Sequence, residues 1–101
     1  MGSKAAIENF RTCIPLFQAL SDEYRQDIIL LLGEKERLTV SEIAEQSKLS
    51  RPAISHHLKI LKQNHLVSVE QQGTKRYYFL TLAPALEQLK ALILTIEADC
   101  N

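Results

Sequence analysis

Long apolar runs are missing from this 101-residue chain. None approaches the roughly 18 to 20 residues that cross a bilayer, and the opening Met1-Gly2-Ser3-Lys4 lacks the apolar stretch of a secretion signal. Ala6 stands where a myristoylation signal needs Ser or Thr. A cytoplasmic protein with no membrane partner is expected. Cysteine is scarce: Cys13 and Cys100 lie near opposite ends and form no C-x-x-C pair, which excludes a disulfide framework. With three glycines, the chain holds no Gly-rich loop to cradle a phosphate. Its histidines, His56, His57 and His65, have no carboxylate nearby in sequence to orient a base, and His56 and His57 point to different faces of one helix, so they are badly placed to share an ion. An enzyme is not expected, nor is a cofactor or a metal.

Net charge is also lacking, at zero, although a nucleic-acid binder must bring positive charge to phosphates. The distribution is more informative than the total. From Lys48 to Arg76 the basic residues are Lys48, Arg51, Lys59, Lys62, Lys75 and Arg76, and the single acid is Glu70. The rest of the chain is correspondingly acidic, so positive charge is concentrated in one segment. With 46% apolar and 24% charged residues, the chain suits one hydrophobic core, and residues 1–101 are read as a single domain without repeats.

Ile7, Phe10, Ile14 and Phe17 recur at helical spacing, and Pro15 predicts a kink or restart within that first helix. A second helix is expected from the cap Ser21 to Gly33, with Tyr24, Ile28 and Leu31 inward, followed by a charged loop at Glu34 to Arg37. Thr39-Val40-Ser41-Glu42 reads as a capping box opening a short helix with Ile43 and Ala44 inward. After a tight turn at Ser47-Lys48-Leu49, Ser50 caps another helix, with Pro52 in its first turn and Ile54, Leu58 and Leu61 on the buried side. Leu66 to Glu70 and Lys75 to Leu80 are rich in β-branched and aromatic residues and flank a turn at Gln72-Gly73, which predicts a hairpin. Pro84 opens a last helix, with Leu86, Leu89, Ile93 and Ile96 in a stripe that Cys100 continues. The expected fold is mainly α with a small β-hairpin, in the order α-α-α-α-β-β-α: a helix-turn-helix followed by a wing.

Projected at about 100° per residue, the helix after Ser50 turns Pro52, His56, Lys59 and Gln63 away from its apolar face, with Ser55 on the flank and Arg51 at the start. A recognition helix needs this division between a seating face and a reading face. The candidate DNA-binding residues are therefore Lys48, Ser50, Arg51, Ser55, His56, Lys59 and Gln63, joined by Lys75 and Arg76 beside the wing turn. Arg51, Ser55 and His56 are assigned to base edges, and Lys59 with the amino-terminal amides to the backbone. His57 projects beside the core face and reads as a structural hydrogen-bonding residue. Of Tyr77 and Tyr78, one is expected to pack inward. The plainer alternative is that all these polar residues form a solvated helix face; the short helix before and the hairpin after favour the DNA reading.

The runs Ala19-Leu20-Ser21-Asp22-Glu23-Tyr24-Arg25, Leu49 to Leu61 and Gly73-Thr74-Lys75-Arg76-Tyr77-Tyr78-Phe79-Leu80 together resemble the ArsR/SmtB family of winged-helix repressors. The resemblance spans nearly the whole chain. It implies a homodimer built from the first and last helices, binding an imperfect palindrome of double-stranded DNA and releasing it when an inducer binds. The chain departs from the family where Glu23-Tyr24 replaces Pro-Thr and where Thr74 follows the wing glycine in place of a basic residue. A larger departure concerns metal. Metal-sensing members carry Cys-Val-Cys where this chain has Thr39-Val40-Ser41, and hydroxyls are poor ligands for a soft ion. The last helix contains no histidine, and Glu87, Glu97 and Asp99 alone do not make a zinc site.

Apolar stripes on the two terminal helices, about residues 5–19 and 84–99, are more than a chain of this size readily covers, so a symmetric dimer is expected on physical grounds as well. Cys13 and Cys100 are candidates for a thiol sensor near that interface; the alternative is a small buried apolar residue and a terminal one. The inducer, operator and target genes are left open. The rival function is a winged helix used as a protein-docking module, which would show exposed apolar residues on the recognition helix.

Overall fold

The computed structural model of the chain describes residues 4–100, except for the side chain of Cys100. The elements are α1 (Lys4–Leu20), α2 (Glu23–Lys35), β1 (Arg37–Leu38), α3 (Val40–Glu45), α4 (Arg51–Gln63), β2 (Val67–Gln72), β3 (Lys75–Leu80) and α5 (Ala83–Cys100). The three strands form an antiparallel sheet in the order β1-β3-β2. This is a winged helix-turn-helix: α3 and α4 make the helix-turn-helix and the β2–β3 hairpin is the wing.

The expected helices and hairpin are present, with local corrections. α1 runs through Pro15 without a restart; Arg11, whose carbonyl loses its partner there, is exposed, so water can replace the missing bond. Asp22, not Ser21, caps α2 by accepting the Arg25 amide at 3.0 Å. The buried residues of α2 are Ile28 and Leu32, while Tyr24 is 48% exposed. α2 continues past Gly33 to Lys35, so the expected charged loop from Glu34 to Arg37 shrinks to Glu36, and β1 begins at Arg37, which pairs with Phe79 while Leu38 pairs with Tyr78. Glu36 makes the turn between them at a φ of 68°. The wing loop is Gly73-Thr74, one residue later than expected, since Gln72 pairs with Lys75. Gly73 has a φ of 63° with open space where a side chain would begin. A two-residue loop with positive φ only at its first position suits glycine there.

The core is built from Leu16, Ile28, Leu32, Leu38, Ile43, Ile54, Leu58, Leu61, Leu66 and Val67, with Ala19 and Ala85. Ile54, Leu58 and Leu61 show no exposed surface, as their spacing predicts. Tyr78 packs against this core. Tyr77 instead lies under the Arg37 guanidinium, 4.6 Å from its ring centre. One tyrosine thus packs inward and its neighbour takes a cation-π contact on the other face of the strand.

α1 and α5 lie antiparallel, joined by Asn9 Nδ2 donating to Thr95 Oγ1 at 2.7 Å and Gln88 Nε2 donating to the Thr12 carbonyl at 2.9 Å. Their buried contact residues are Cys13, Leu16 and Ala19 on α1 and Ala85 and Leu92 on α5. The stripes read from the sequence point largely outward, except that Phe17 is half-buried and Leu89 packs against the core. Ile7, Phe10 and Ile14 on α1 and Leu86, Ile93, Leu94 and Ile96 on α5 are exposed. The radius of gyration is 16.1 Å, against about 13 Å for a compact domain of this length, so the chain is elongated.

α4 ends in a Schellman motif: the His65 amide donates to Lys62 and the Leu66 amide to Leu61, both at 3.0 Å. His65 holds a φ of 58° at the position usually given to glycine. Replacing His65 with Gly should raise the unfolding free energy by about 0.5–1 kcal/mol in urea titration, through relief of backbone strain; an unchanged or lower midpoint would count against that strain.

Candidate nucleic-acid interface

The reading helix is positioned from its N-terminal end. At the start of α3 the Thr39 hydroxyl accepts the Glu42 amide at 3.2 Å, and the Glu42 carboxylate accepts the Thr39 amide at 2.8 Å. The capping box is therefore present, and the Thr39 hydroxyl is committed to it. The backbone bond from Thr39 holds the Glu42 carboxyl below the usual carboxylate range, so the box keeps its negative charge. In the following turn the Ser47 hydroxyl accepts the Leu49 amide at 3.1 Å. Ser50 then caps α4 by accepting the Ala53 amide at 3.3 Å, and Pro52 sits in the first turn where an N–H has no partner to lose.

Seated by Ile54, Leu58 and Leu61, α4 leaves Ser50, Arg51, Ser55, His56, Lys59 and Gln63 exposed, and Lys48 is exposed in the turn before it. Lys62 is exposed as well, and the helix contains no acid. None of the large exposed hydrophobics lies on α4. Lys75 and Arg76 are exposed on the wing, across an open groove of about 450 Å³ from Thr39 to Glu42 at the start of α3. All nine candidate residues are therefore open to a ligand, seven on the helix-turn-helix and two on the wing. Glu70, the one acid of the basic segment, lies 4.0 Å from the Arg37 guanidinium, which offsets its charge near the wing.

His57 is half-buried behind the reading face, where Arg25 Nη1 lies 3.3 Å from its Nδ1. Arginine has only donors, so in this contact Nδ1 accepts, an arrangement that the neutral ring with its proton on Nε2 allows. Desolvation lowers the His57 pKa from the ordinary histidine value, opposed by Asp22 and reinforced by Arg25 and His56. Sequence reasoning assigned His57 a hydrogen-bonding role and did not find its partner. Arg25 precedes it by 32 residues, a separation no local pattern reports. The sequence pattern puts Arg37 in a loop, so its contact with Tyr77 cannot be read from it.

Cys13 is 1% exposed, with its thiol 3.8 Å from the Gln88 carbonyl. That burial favours the small-apolar reading of Cys13 over an open thiol. The other candidate thiol, that of Cys100, lies outside the described residues. Among the described residues no helix is long and apolar enough to cross a membrane.

The fold is that of a winged helix-turn-helix protein, and its α4 presents an exposed polar and basic face. Residues 22–69 match the family of bacterial regulatory proteins described as the arsR family. The transcriptional repressor SdpR of Bacillus subtilis is 43% identical over 65 residues, covering 64% of this chain and 71% of that protein. The arsenical resistance operon repressor of Staphylococcus aureus is 33% identical over 75 residues, covering 74% of this chain and 71% of the repressor. Among solved structures, an ArsR-like transcriptional regulator from Rhodococcus sp. RHA1 superposes with a TM-score of 0.78 at 29% identity, covering 91% of this chain and 85% of the other. The chain belongs to the arsR family of bacterial regulatory proteins and is a DNA-binding transcriptional regulator.

The His57 environment has a consequence for stability. Folded His57 takes up a proton less readily than unfolded His57, so the unfolded state binds more protons as pH falls below about 6.5, and stability drops with it. Above that value the contribution is complete. Urea unfolding of the native chain between about pH 5 and pH 8 should show this loss on the acid side, and His57→Gln should flatten it. An identical pH profile in the variant would assign the loss to other groups.

Proposed function

We infer that the protein is a homodimeric repressor, paired through α1 and α5, that reads a palindromic operator with α4 and contacts its backbone with the wing. The observation that carries this reading is the outer face of α4. Arg51, Ser55, His56, Lys59 and Gln63 are exposed together on a helix without acids or exposed large hydrophobics. Hydrogen-bonding and cationic groups on such a helix suit base edges and phosphates. A protein-docking helix would instead present an apolar face, and here the large exposed hydrophobics lie on α1, α2 and α5.

Those terminal faces support the dimer. Ile7, Phe10, Ile14, Leu86, Ile93, Leu94 and Ile96 are each at least 36% exposed, and burying a Leu, Ile or Phe side chain contributes roughly 1.5–3 kcal/mol. A two-fold axis beside α1 and α5 would cover them with their own copies and turn the two reading helices toward successive major grooves, about 34 Å apart. In this reading Arg51, Ser55 and His56 approach bases. Lys59, Lys48, Ser50 and Gln63 lie along the backbone, and Lys75 and Arg76 flank it from the wing. Repression follows from operator occupancy that blocks transcription, as the name of the SdpR relative suggests by analogy.

Binding of the purified protein to palindromic DNA from its own promoter, measured over a salt series, tests the reading face. Lys59→Ala should lower the magnitude of the log–log salt slope by about 0.9 per subunit; Arg51→Ala should weaken specific binding about 5- to 150-fold and narrow the margin over random DNA. Native binding no tighter than to random DNA would overturn the operator reading. The dimer is tested apart from DNA by Ile93→Asp: sedimentation should show a monomer, and an unaltered dimer would exclude Ile93 from the interface.

A further inference from the structure

Arg25 reaches two helices at once. Its Nε donates to the Ala19 carbonyl at 2.7 Å and its Nη2 to the Gln18 carbonyl at 3.1 Å. These belong to the last turn of α1, where carbonyls have no partner within the helix and a cation is favoured. The third nitrogen, Nη1, lies 3.3 Å from His57 Nδ1 on α4. Asp22 backs the arrangement, its carboxylate accepting the Arg25 amide and standing 4.0 Å from Nη1. The Arg25 side chain is only 13% exposed, and the Tyr24 ring lies 6.0 Å from the His57 ring. A planar guanidinium with five donors in a fixed fork can span three acceptors in this way; an ammonium on a flexible stem holds no such geometry.

α1 carries exposed apolar residues suited to dimerisation and α4 the reading face, so this one side chain joins two surfaces with different tasks. We propose that Arg25 and His57 form a rigid joint between the dimer helix and the recognition helix, making them positioning residues that set half-site spacing without touching DNA. The inference rests on the dimeric-operator reading above. His57 is next to His56 on the reading face, and their rings are 5.7 Å apart. Anchoring His57 to the end of α1 therefore ties the distance and tilt of α4 to α1, and through α1 to the two-fold axis. Without the joint each α4 should still fit one half-site, since its apolar seat is untouched, but the two copies would be free to meet half-sites at several separations.

The test is a set of duplexes carrying two copies of the selected half-site at the optimal separation and at one and two base pairs more or less, with random DNA as reference. Native protein, Arg25→Lys, His57→Phe and His57→Gln are compared after circular dichroism confirms that each folds. Arg25→Lys and His57→Phe should lose about tenfold in affinity at the optimal separation, the scale of one lost charge-assisted hydrogen bond. They should lose much less at the other separations, so that spacing discrimination falls toward one. The salt slope should stay at the native value, because no phosphate contact is removed. His57→Gln, whose amide oxygen can still accept from Arg25, should retain discrimination. If both disruptive variants keep native spacing discrimination, the joint is wrong. If they lose affinity equally at every separation with a shallower salt slope, the residues are DNA contacts and the joint is again wrong. Native protein that prefers no palindrome to random DNA would remove the operator reading and the joint together, an outcome distinct from the first two.

Discussion

What α4 exposes depends on how it is seated on the core. Ile54, Leu58 and Leu61 follow one another at intervals of four and three and are fully buried, which ties the rotation of the helix about its own axis to the core. Turning it by one residue, about 100°, would expose part of that apolar face and bury polar groups without partners, at several kcal/mol. The exposed side is thereby determined, and Arg51, Ser55, His56, Lys59 and Gln63 have no other place to point. The Ser50 cap fixes where the helix begins, and the Schellman turn at His65 fixes where it stops and hands the chain to the wing. A strained histidine at that turn is accommodated because Leu66 is held in the core against the same cluster as Leu61.

The second organising feature is a division of apolar surface. α1 and α5 each carry two apolar faces: one buries Cys13, Leu16, Ala85 and Leu92 within the chain, and the other leaves Phe10, Ile14, Leu86 and Ile93 exposed. A chain of this size cannot fold back to cover both. Between these terminal helices and α4 stands α2, whose Arg25 satisfies carbonyls at the end of α1 and a histidine of α4 with one guanidinium. The end of α1 is finished jointly by Arg25, by Ser21 on the Gln18 carbonyl and by Gln26 on the Leu20 carbonyl, and of these only Arg25 also reaches α4.

Much of the architecture was legible beforehand. The spacing of Ile54, Leu58 and Leu61, the Thr39–Glu42 box and the β-rich runs around Gly73 are local signals, each expressing a bond or contact between residues close in sequence. The elements misread were those decided at a distance. β1 is two residues long and exists because Phe79 and Tyr78 pair with Arg37 and Leu38, so no periodicity could reveal it. Tyr24 shares helical spacing with Ile28, yet it lies out toward His57 while Leu32 fills the core in its place.

The amino-acid sequence by itself determined the order of the helices and hairpin, the buried face of α4 and the gathering of positive charge between Lys48 and Arg76. Caps, turns and periodic apolar positions act within a few residues and need no fold to be recognised. Only the tertiary structure decided which apolar stripe on α1 and α5 faces inward, that Cys13 is sealed between them, and that Arg25 and His57 meet. Periodicity reports that a face is apolar without naming what will cover it, and a contact across 32 residues exists only once helices from different parts of the chain are packed on one core.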